Sequence, residues 1–262
     1  MIYASRLSRS NIPQMLHNED PPNFPEFPGY EIIRPLSKGF LGQTACFRNC
    51  QDNHIYVIKS FNKSFIGPPQ NIRSFYQKIQ QLNSNQFLFI SGYVDVFEDE
   101  ESIYLVRPYL DYPNLSDYIT SAGLQTTGKL EVEVNPMSIL ESQVIDNNSI
   151  LNLWKSIVKC YVYLHEKGIF PNPIKPSNIF IVEGKYIVLT DMYEITSDLT
   201  VAFNTFSANQ IQFLAPEFFN QRLSTCRPSS LSDVWTLGVL LLVMCGYDLP
   251  WEMKNFGSLL NH

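Results

Sequence analysis

The character of the sequence changes near Asp111, and this change restricts the possible folds more than any other feature. Before it, short β-like segments bounded by polar turns predominate, together with one helical segment over residues 72–82. After it, apolar residues mostly recur at helical spacing. Separate runs of strands and helices are typical of α+β proteins. The five β-like segments predict one small antiparallel sheet: residues 30–36, 44–48, 55–61, 93–97 and 103–106.

The second part of the sequence first predicts two helices. Asn114 is a candidate N-cap for a short helix that ends near residue 121. A longer helix follows Ser149, which is its candidate cap, and Lys167-Gly168 supplies a stop signal. Its apolar residues recur at the i, i+3, i+4, i+7 spacing of one buried face: Ile150, Leu153, Trp154, Ile157, Tyr161 and Leu164.

A hairpin and a third helix complete the pattern. Residues 179–182 and 186–189 flank Glu183-Gly184, which favours a tight turn between two short strands. Ser232 or Asp233 is the candidate N-cap of a helix over 234–245. This helix is apolar nearly all round, so we expect it to be buried in the middle of its lobe.

Charge and cysteine usage exclude several classes of function. The 25 acidic and 19 basic residues give a net charge of −6, without the basic surplus that attracts nucleic acid or an anionic membrane. The longest apolar run, residues 234–247, is shorter than the roughly 20 residues that cross a bilayer. There is no apolar signal segment at the N-terminus, and the five scattered cysteines form no zinc spacing. We expect a cytoplasmic, intracellular protein with no nucleic-acid or membrane partner.

Two stretches lack the periodicity of a helix or a strand. Residues 1–29 are polar and contain five prolines, which predicts an extended N-terminal arm before a folded part that starts near Tyr30. Residues from about 122 to 145 predict a long surface loop inserted after the first helix.

Several short motifs occur in a fixed order along the chain. Each is common by chance: a pair of glycines in a hairpin is most often only a turn, and a lysine on a strand is usually solvated. The order and intervals are the informative part. The motifs are the glycine turn of 36–44, Tyr56-Val-Ile-Lys59, Ile174-Lys-Pro-Ser-Asn178, Leu189-Thr-Asp191, Ala215-Pro-Glu217 and Ser232-Asp-Val-Trp-Thr-Leu-Gly238.

Together these motifs resemble the protein kinase family, from about Tyr30 to Trp251. The resemblance implies two lobes with a nucleotide in the cleft between them: a small lobe over 30–109, with the sheet and one helix, and a mainly helical large lobe over 110–262. Family members continue for several more helices, so we expect a C-terminally truncated large lobe. The helix over 234–245 would then lack part of its cover, and an exposed apolar face is expected there.

The resemblance implies an ATP site. Gly39 and Gly42 match two of the three glycines whose backbone approaches the phosphates. Lys59 matches the lysine that holds the α- and β-phosphates. In the connecting strand, the Pro108 carbonyl and the Leu110 N–H fall where backbone groups bond adenine.

The resemblance also implies a Mg²⁺ site, for which Asn178 and Asp191 match the two ligands. These are hard oxygen donors of the kind that Mg²⁺ prefers. The catalytic loop differs from the family pattern. Lys175 is retained, but the aspartate that accepts the substrate proton is replaced by Pro173. A proline side chain has no lone pair, so general-base assistance of about 10²- to 10⁴-fold is lost at this position.

Other departures concern regulation and the nucleotide. Asn172 replaces the arginine that receives an activation-loop phosphate. In the family a helix glutamate pairs with this lysine, and the corresponding position in this sequence falls at about Lys78. Met192-Tyr193 replaces Phe-Gly after the metal-binding aspartate. Arg107 falls at the back of the adenine pocket, where it either reaches Asp191 or a phosphate, or fills the cleft and excludes nucleotide.

These observations leave three hypotheses. The first is a pseudokinase that acts as a binding or scaffolding module for a protein partner, with residual ATP binding. The second is a weak or atypical Ser/Thr phosphotransferase, in which Asp191 or Asp198 replaces the missing base. The third is a chain without activity or a stable fold, because of the uncovered apolar helix.

Overall fold

The computed structural model describes residues 24–38, 42–84, 89–121, 147–170, 174–191, 212–219, 229–247 and 249. The predicted loop at 122–145 lies outside these residues. The chain divides into two compact units, and each is described by itself. The first comprises Met1–Asn62 and Tyr93–Asp111, and the second Lys63–Gly92 and Tyr112–His262.

The first unit contains the five-stranded sheet that the sequence predicts. Its strands are β1 (Tyr30–Lys38), β2 (Gln43–Asn49), β3 (Ile55–Asn62), β4 (Asp95–Glu98) and β5 (Ser102–Pro108). They lie in the order β1-β2-β3-β5-β4, and every neighbouring pair is antiparallel. The predicted α+β class and the five strands are confirmed.

Short polar side chains fix two of the turns in this sheet. Between β2 and β3, Asn49 Oδ1 accepts hydrogen bonds from the N–H groups of Gln51 and Asp52. Between β4 and β5, Asp99 Oδ1 accepts from the N–H groups of Glu101 and Ser102. Asn and Asp favour such turns because their side chains bond the backbone two or three residues ahead.

One face of the sheet carries an aromatic core that the sequence did not predict. Phe27 is buried there together with Ala45, Phe47, Ile58, Tyr104 and Val106. Its ring centroid lies 4.9 Å from that of Tyr104 and 5.6 Å from that of Phe47. Phe24 packs against the same cluster. Most of the predicted arm lies outside the described residues, but its last part, from Phe24 onward, packs on the sheet.

The second unit contains the helices, which are α1 (Lys63–Ile66), α2 (Pro69–Ser84), α3 (Leu115–Ser121), α4 (Asn147–Glu166) and α5 (Ser230–Met244) in the described part of the chain. Residues 63–92 belong to this unit, whereas the sequence grouped them with the sheet. A physical reason is that the N–H of Ser91 donates to the Leu189 carbonyl, and the N–H of Leu189 donates to the Phe89 carbonyl.

The predicted hairpin of the second unit is confirmed. Its strands are β6 (Ile179–Val182) and β7 (Tyr186–Leu189). Glu183 and Gly184 have φ angles of 52° and 70°, and a type I′ turn requires two such residues in succession. The N–H of Lys185 closes the turn on the Val182 carbonyl.

Helices α3 and α4 follow the sequence pattern. Asn114 Oδ1 accepts from the N–H of Asp117, which confirms the predicted N-cap of α3. Helix α4 begins two residues before the predicted cap, and Gly168 follows its end with a φ of 71°, as a C-terminal glycine should. The buried residues of α4 form one face: Ile150, Leu153, Ile157, Cys160, Tyr161 and Leu164.

Helix α5 corrects two predictions. Its N-cap is Ser229, not Ser232 or Asp233, because Ser229 and Ser232 form a reciprocal capping box. The helix is also not buried all round: the side chains of Leu231 and Val234 are 79% and 64% exposed. The exposed apolar face expected for this helix is therefore present. No helix in the described ranges is long and apolar enough to span a bilayer.

Candidate functional site

Lys59 occupies the central strand of the first unit, as predicted. It lies opposite Thr44 of β2 and Leu105 of β5, and its side chain is half-buried. Its ammonium group lies 5.5 Å from the ring centroid of Phe61 on the same strand face. Lys59 therefore places its ammonium group on a rigid central strand, which suits the binding of an anion.

Gly42 has a packing role that the sequence did not reveal. Gly39 and residues 40–41 lie outside the described part of the chain, but Gly42 lies against β3. A Cβ at Gly42 would collide with the carbonyl oxygen of Ser60 and would lie 2.9 Å from its Oγ. The Ser60 hydroxyl also accepts from the N–H of Gln43 and donates to its carbonyl. Glycine is needed here for a close approach of two backbone segments.

Arg107 and Pro108 lie at the end of β5. The Arg107 side chain is buried, and its Nη1 donates to the Pro108 carbonyl oxygen at 3.3 Å. Leu110, the second predicted adenine contact, is half-buried two residues further along. The sequence predicted that Arg107 would require a partner, and the Pro108 carbonyl is one.

The two predicted metal ligands lie at the same end of the β6–β7 hairpin in the second unit. Asn178 ends a 3-10 turn that immediately precedes β6, and Asp191 follows β7 by two residues. The N–H of Thr190 donates to the Asn178 carbonyl at 2.9 Å, which ties the two segments together. Both side chains are buried. Asp191 has a φ of 56°, an unusual conformation for a residue other than glycine.

This pair fits a magnesium ion chemically, because an amide oxygen and a carboxylate are both hard donors. Within the described residues, no cluster of three or more His, Cys, Asp or Glu side chains is placed to hold a metal. Bound Mg²⁺ commonly completes its coordination with phosphate oxygens and water.

The remaining predicted positions are divided between described and undescribed residues. Lys175 is half-buried immediately before the 3-10 turn, and its carbonyl accepts from the N–H of Asn178. Lys78 lies on α2 and is half-buried, and α2 contains no acidic residue. Asn172, Pro173 and Met192-Tyr193 lie outside the described residues.

A pair of titratable side chains, one half-buried and one buried, joins the end of α4 to the start of α5, and the sequence did not single it out. Asp233 is completely buried at the start of α5, and its Oδ2 lies 2.7 Å from His165 Nε2 at the end of α4. Among the residues that the structure describes, its other oxygen has no hydrogen-bond partner. Burial raises the pKa of Asp233 to about 8 and lowers the pKa of His165. Both shifts favour the neutral forms. The residues are 68 positions apart, so no local pattern connects them.

The unfolding free energy should therefore fall by about 1 to 2 kcal/mol between pH 6.5 and 8, because one pKa unit corresponds to about 1.4 kcal/mol. Over this range, folded Asp233 retains a proton that the unfolded chain has lost, because the pKa of Asp233 rises from 3.8 to about 8 on folding. Below the ordinary His pKa of 6.5, the lowered pKa of His165 has the opposite effect, so the two contributions offset each other.

Urea unfolding at a series of pH values, on the wild type and on Asp233→Asn, measures this effect. The asparagine variant should lack the decrease between pH 6.5 and 8. Parallel pH profiles for the two proteins would show that the carboxyl group of Asp233 does not hold the proton.

Comparison with known families identifies one match that covers nearly the whole chain. A family model described as a protein kinase domain matches residues 30–261. The matched range includes parts of both units and every candidate site residue discussed above.

Several curated serine/threonine-protein kinases are similar to this chain at low sequence identity. The chain is 23% identical over 235 residues to the serine/threonine-protein kinase cds1 of Schizosaccharomyces pombe, covering 86% of this chain and 46% of that protein. It is 24% identical over 232 residues to the serine/threonine-protein kinase PrkC of Bacillus subtilis, covering 88% and 32%. For the serine/threonine-protein kinase SCH9 of Saccharomyces cerevisiae, the identity is 26% over 232 residues, covering 86% and 25%. The chain thus spans between a quarter and a half of these relatives.

Proposed function

The chain belongs to the protein kinase family, and from that premise we propose that it is a catalytically impaired member, a pseudokinase that acts as a binding or scaffolding module. One observation carries the proposal: proline 173 stands where the family has the aspartate that accepts the substrate proton. Without a lone pair at this position, the hydroxyl of a substrate has no general base there.

The described residues of the same segment support this proposal. Between 174 and 191, the only acidic residues are Glu183 and Asp191. Glu183 is exposed at the tip of the β6–β7 hairpin, at the opposite end from Asn178 and Asp191. Asp191 is buried and is the proposed metal ligand. A carboxylate that neutralises a metal cannot at the same time serve as a free base. Neither Glu183 nor Asp191 therefore replaces the missing aspartate as an equally good general base.

The retained groups support residual binding of ATP with Mg²⁺ as part of the proposed function. In the first unit, Lys59 supplies a fixed positive charge, and Pro108 and Leu110 supply backbone groups for a base. In the second unit, Asn178 and Asp191 supply the oxygen ligands that a magnesium–phosphate complex needs. Bound Mg²⁺ would neutralise phosphate charge. We propose protein partners and a cytoplasmic location for this module.

A second candidate function is supported by the relatives, whose names describe them as serine/threonine-protein kinases. Positioning and electrostatic stabilisation supply most of the catalysis of phosphoryl transfer, and the retained lysine, asparagine and aspartate serve those roles. The candidate is a weak Ser/Thr phosphotransferase in which Asp191 or Asp198 takes the place of the missing base.

A phosphotransfer assay distinguishes the two functions. With radiolabelled ATP, Mg²⁺ and a generic protein substrate, the wild type should incorporate no more phosphate than Asp191→Ala, in itself or in the substrate. Because the variant removes the proposed metal ligand, it sets the background of the assay. Incorporation by the wild type well above that background would overturn the pseudokinase proposal in favour of the phosphotransferase.

A further inference from the structure

The carbonyl of Pro108 faces the edge of β5 that lies opposite β3. The N–H of Tyr109 donates to the Ile55 carbonyl on β3 at 3.1 Å, so the backbone groups of residue 109 face β3. Along an extended strand, the backbone groups of successive residues face opposite edges. The Pro108 carbonyl therefore faces the other edge of β5, where β4 lies alongside the earlier residues.

Among the described residues, the pairing of β4 with β5 does not extend as far as Pro108. The last residue of β5 that β4 pairs is Val106, which lies opposite Asp95 and accepts from the N–H of Val94. Pro108 lies two residues beyond this point. Its carbonyl is an acceptor past the end of the ladder, and Arg107 Nη1 donates to it at 3.3 Å. The guanidinium is thus held at a backbone acceptor that a ligand would otherwise use.

The position of Arg107 in the sheet places it on the same face as Lys59. Arg107 lies opposite Val57, and Val57 and Lys59 are two residues apart on β3, so all three side chains share a face. Cys46 lies opposite Val57 on the other side. Burial raises the pKa of the Cys46 thiol to about 11, and the nearby charges of Arg34 and Arg107 partly offset this increase. The Arg107 side chain therefore leaves the sheet on the face that carries Lys59.

We propose that Arg107 determines which base this face accepts, so that the site disfavours adenine and favours a 6-oxopurine such as guanine. This inference rests on the nucleotide binding proposed above. Adenine presents an amino group at position 6, which is a donor and would compete with Arg107 for the Pro108 carbonyl. Guanine presents the O6 and N7 acceptors, to which an arginine donates readily.

Calorimetric titration of the full chain with ATP and with GTP, both with Mg²⁺, tests the inference. The wild type should bind GTP at least about fivefold more tightly than ATP, which is the lower end of the discrimination that a good bidentate arginine–guanine pair provides. In Arg107→Met, a side chain of similar length that cannot donate, ATP binding should tighten and the GTP preference should disappear. Arg34→Met is the matched control, because it removes the other arginine near Cys46, and it should keep the wild-type ratio.

A second variant covers the case in which Arg107→Met does not fold, as judged by its melting transition. Arg107→Gln retains a donor for the Pro108 carbonyl and adds an acceptor for the adenine amino group, so it should shift the preference toward ATP. An unchanged ATP-to-GTP ratio in the folded variants, with binding retained, would overturn this inference alone. Absence of binding of either nucleotide to the wild type and to every folded variant would overturn it together with the proposed nucleotide site, but not the proposed loss of the general base, which rests on Pro173.

Discussion

Phe27→Ala is expected to lower the unfolding free energy of the first unit by about 3 to 5 kcal/mol, as is typical of removing a buried phenylalanine. The ring of Phe27 is buried and lies edge-on to those of Tyr104 and Phe47, and it stacks on Phe97 at 5.5 Å. The substitution therefore removes a large apolar surface and several ring contacts, and it leaves a cavity against the sheet.

Hydrogen-exchange mass spectrometry can assign this loss to the sheet, because it measures the protection of the β2 and β3 amides separately from that of the helices. Ile32→Ala is the matched control. Ile32 lies in β1 but is 46% exposed, so its truncation should change protection little. Unchanged protection of β2 and β3 in Phe27→Ala would mean that the segment before β1 does not contribute to the core.

Gly42→Ala is expected to destabilise the first unit by about 3 kcal/mol in the absence of any nucleotide, at the upper end of the usual cost of overpacking. The added Cβ would lie 2.6 Å from the carbonyl carbon of Ser60 and would collide with its oxygen. These are backbone atoms of a central strand, so the neighbour cannot move aside as a flexible side chain would. Urea unfolding without nucleotide measures the effect.

Gly238→Ala provides a contrast within the same chain. Gly238 lies in α5, and apart from the helix's own backbone a Cβ there would meet no atom of the described residues within 4 Å. Since alanine has a helix propensity about 1 kcal/mol better than that of glycine, this variant should be more stable than the wild type. If Gly42→Ala were as stable as the wild type and lost only nucleotide binding, Gly42 would be needed for contact with the nucleotide phosphates and not for the packing of the sheet.

Most of the fold was predictable because the strands and helices depend on local patterns. The β6–β7 hairpin was predicted at its observed residues, since two short apolar runs flank a Glu-Gly turn. The five-stranded sheet followed from runs bounded by polar turns that Asn49 and Asp99 fix through their own backbone neighbours. The cap of α5 was missed by three residues, because Ser229 and Ser232 bond each other and either serine resembles a cap in the sequence.

The placement of the candidate site residues on strands and hairpin ends was predictable, but their contacts were not. The motif order identified Lys59, Asn178 and Asp191, and the structure places each on the strand or hairpin end that was expected. The motif order could not show that Ser60 makes glycine necessary at position 42. The two residues are 18 positions apart in the sequence, and only the pairing of β2 with β3 brings them together. Nor could the motif order show that Arg107 turns back to the carbonyl of the next residue, because side-chain direction depends on what fills the neighbouring space.

The sequence by itself determined the family, the order of strands and helices, and the proline at position 173 on which the proposed loss of the general base rests, because each depends on residue identity at a fixed spacing. Only the tertiary structure decided the roles of Phe27, Gly42 and the His165–Asp233 pair. Phe27 follows a proline-rich stretch with no period, and His165 meets Asp233 across two helices. Such contacts join residues that are distant in the chain, so they are set by how the elements pack and not by any local pattern.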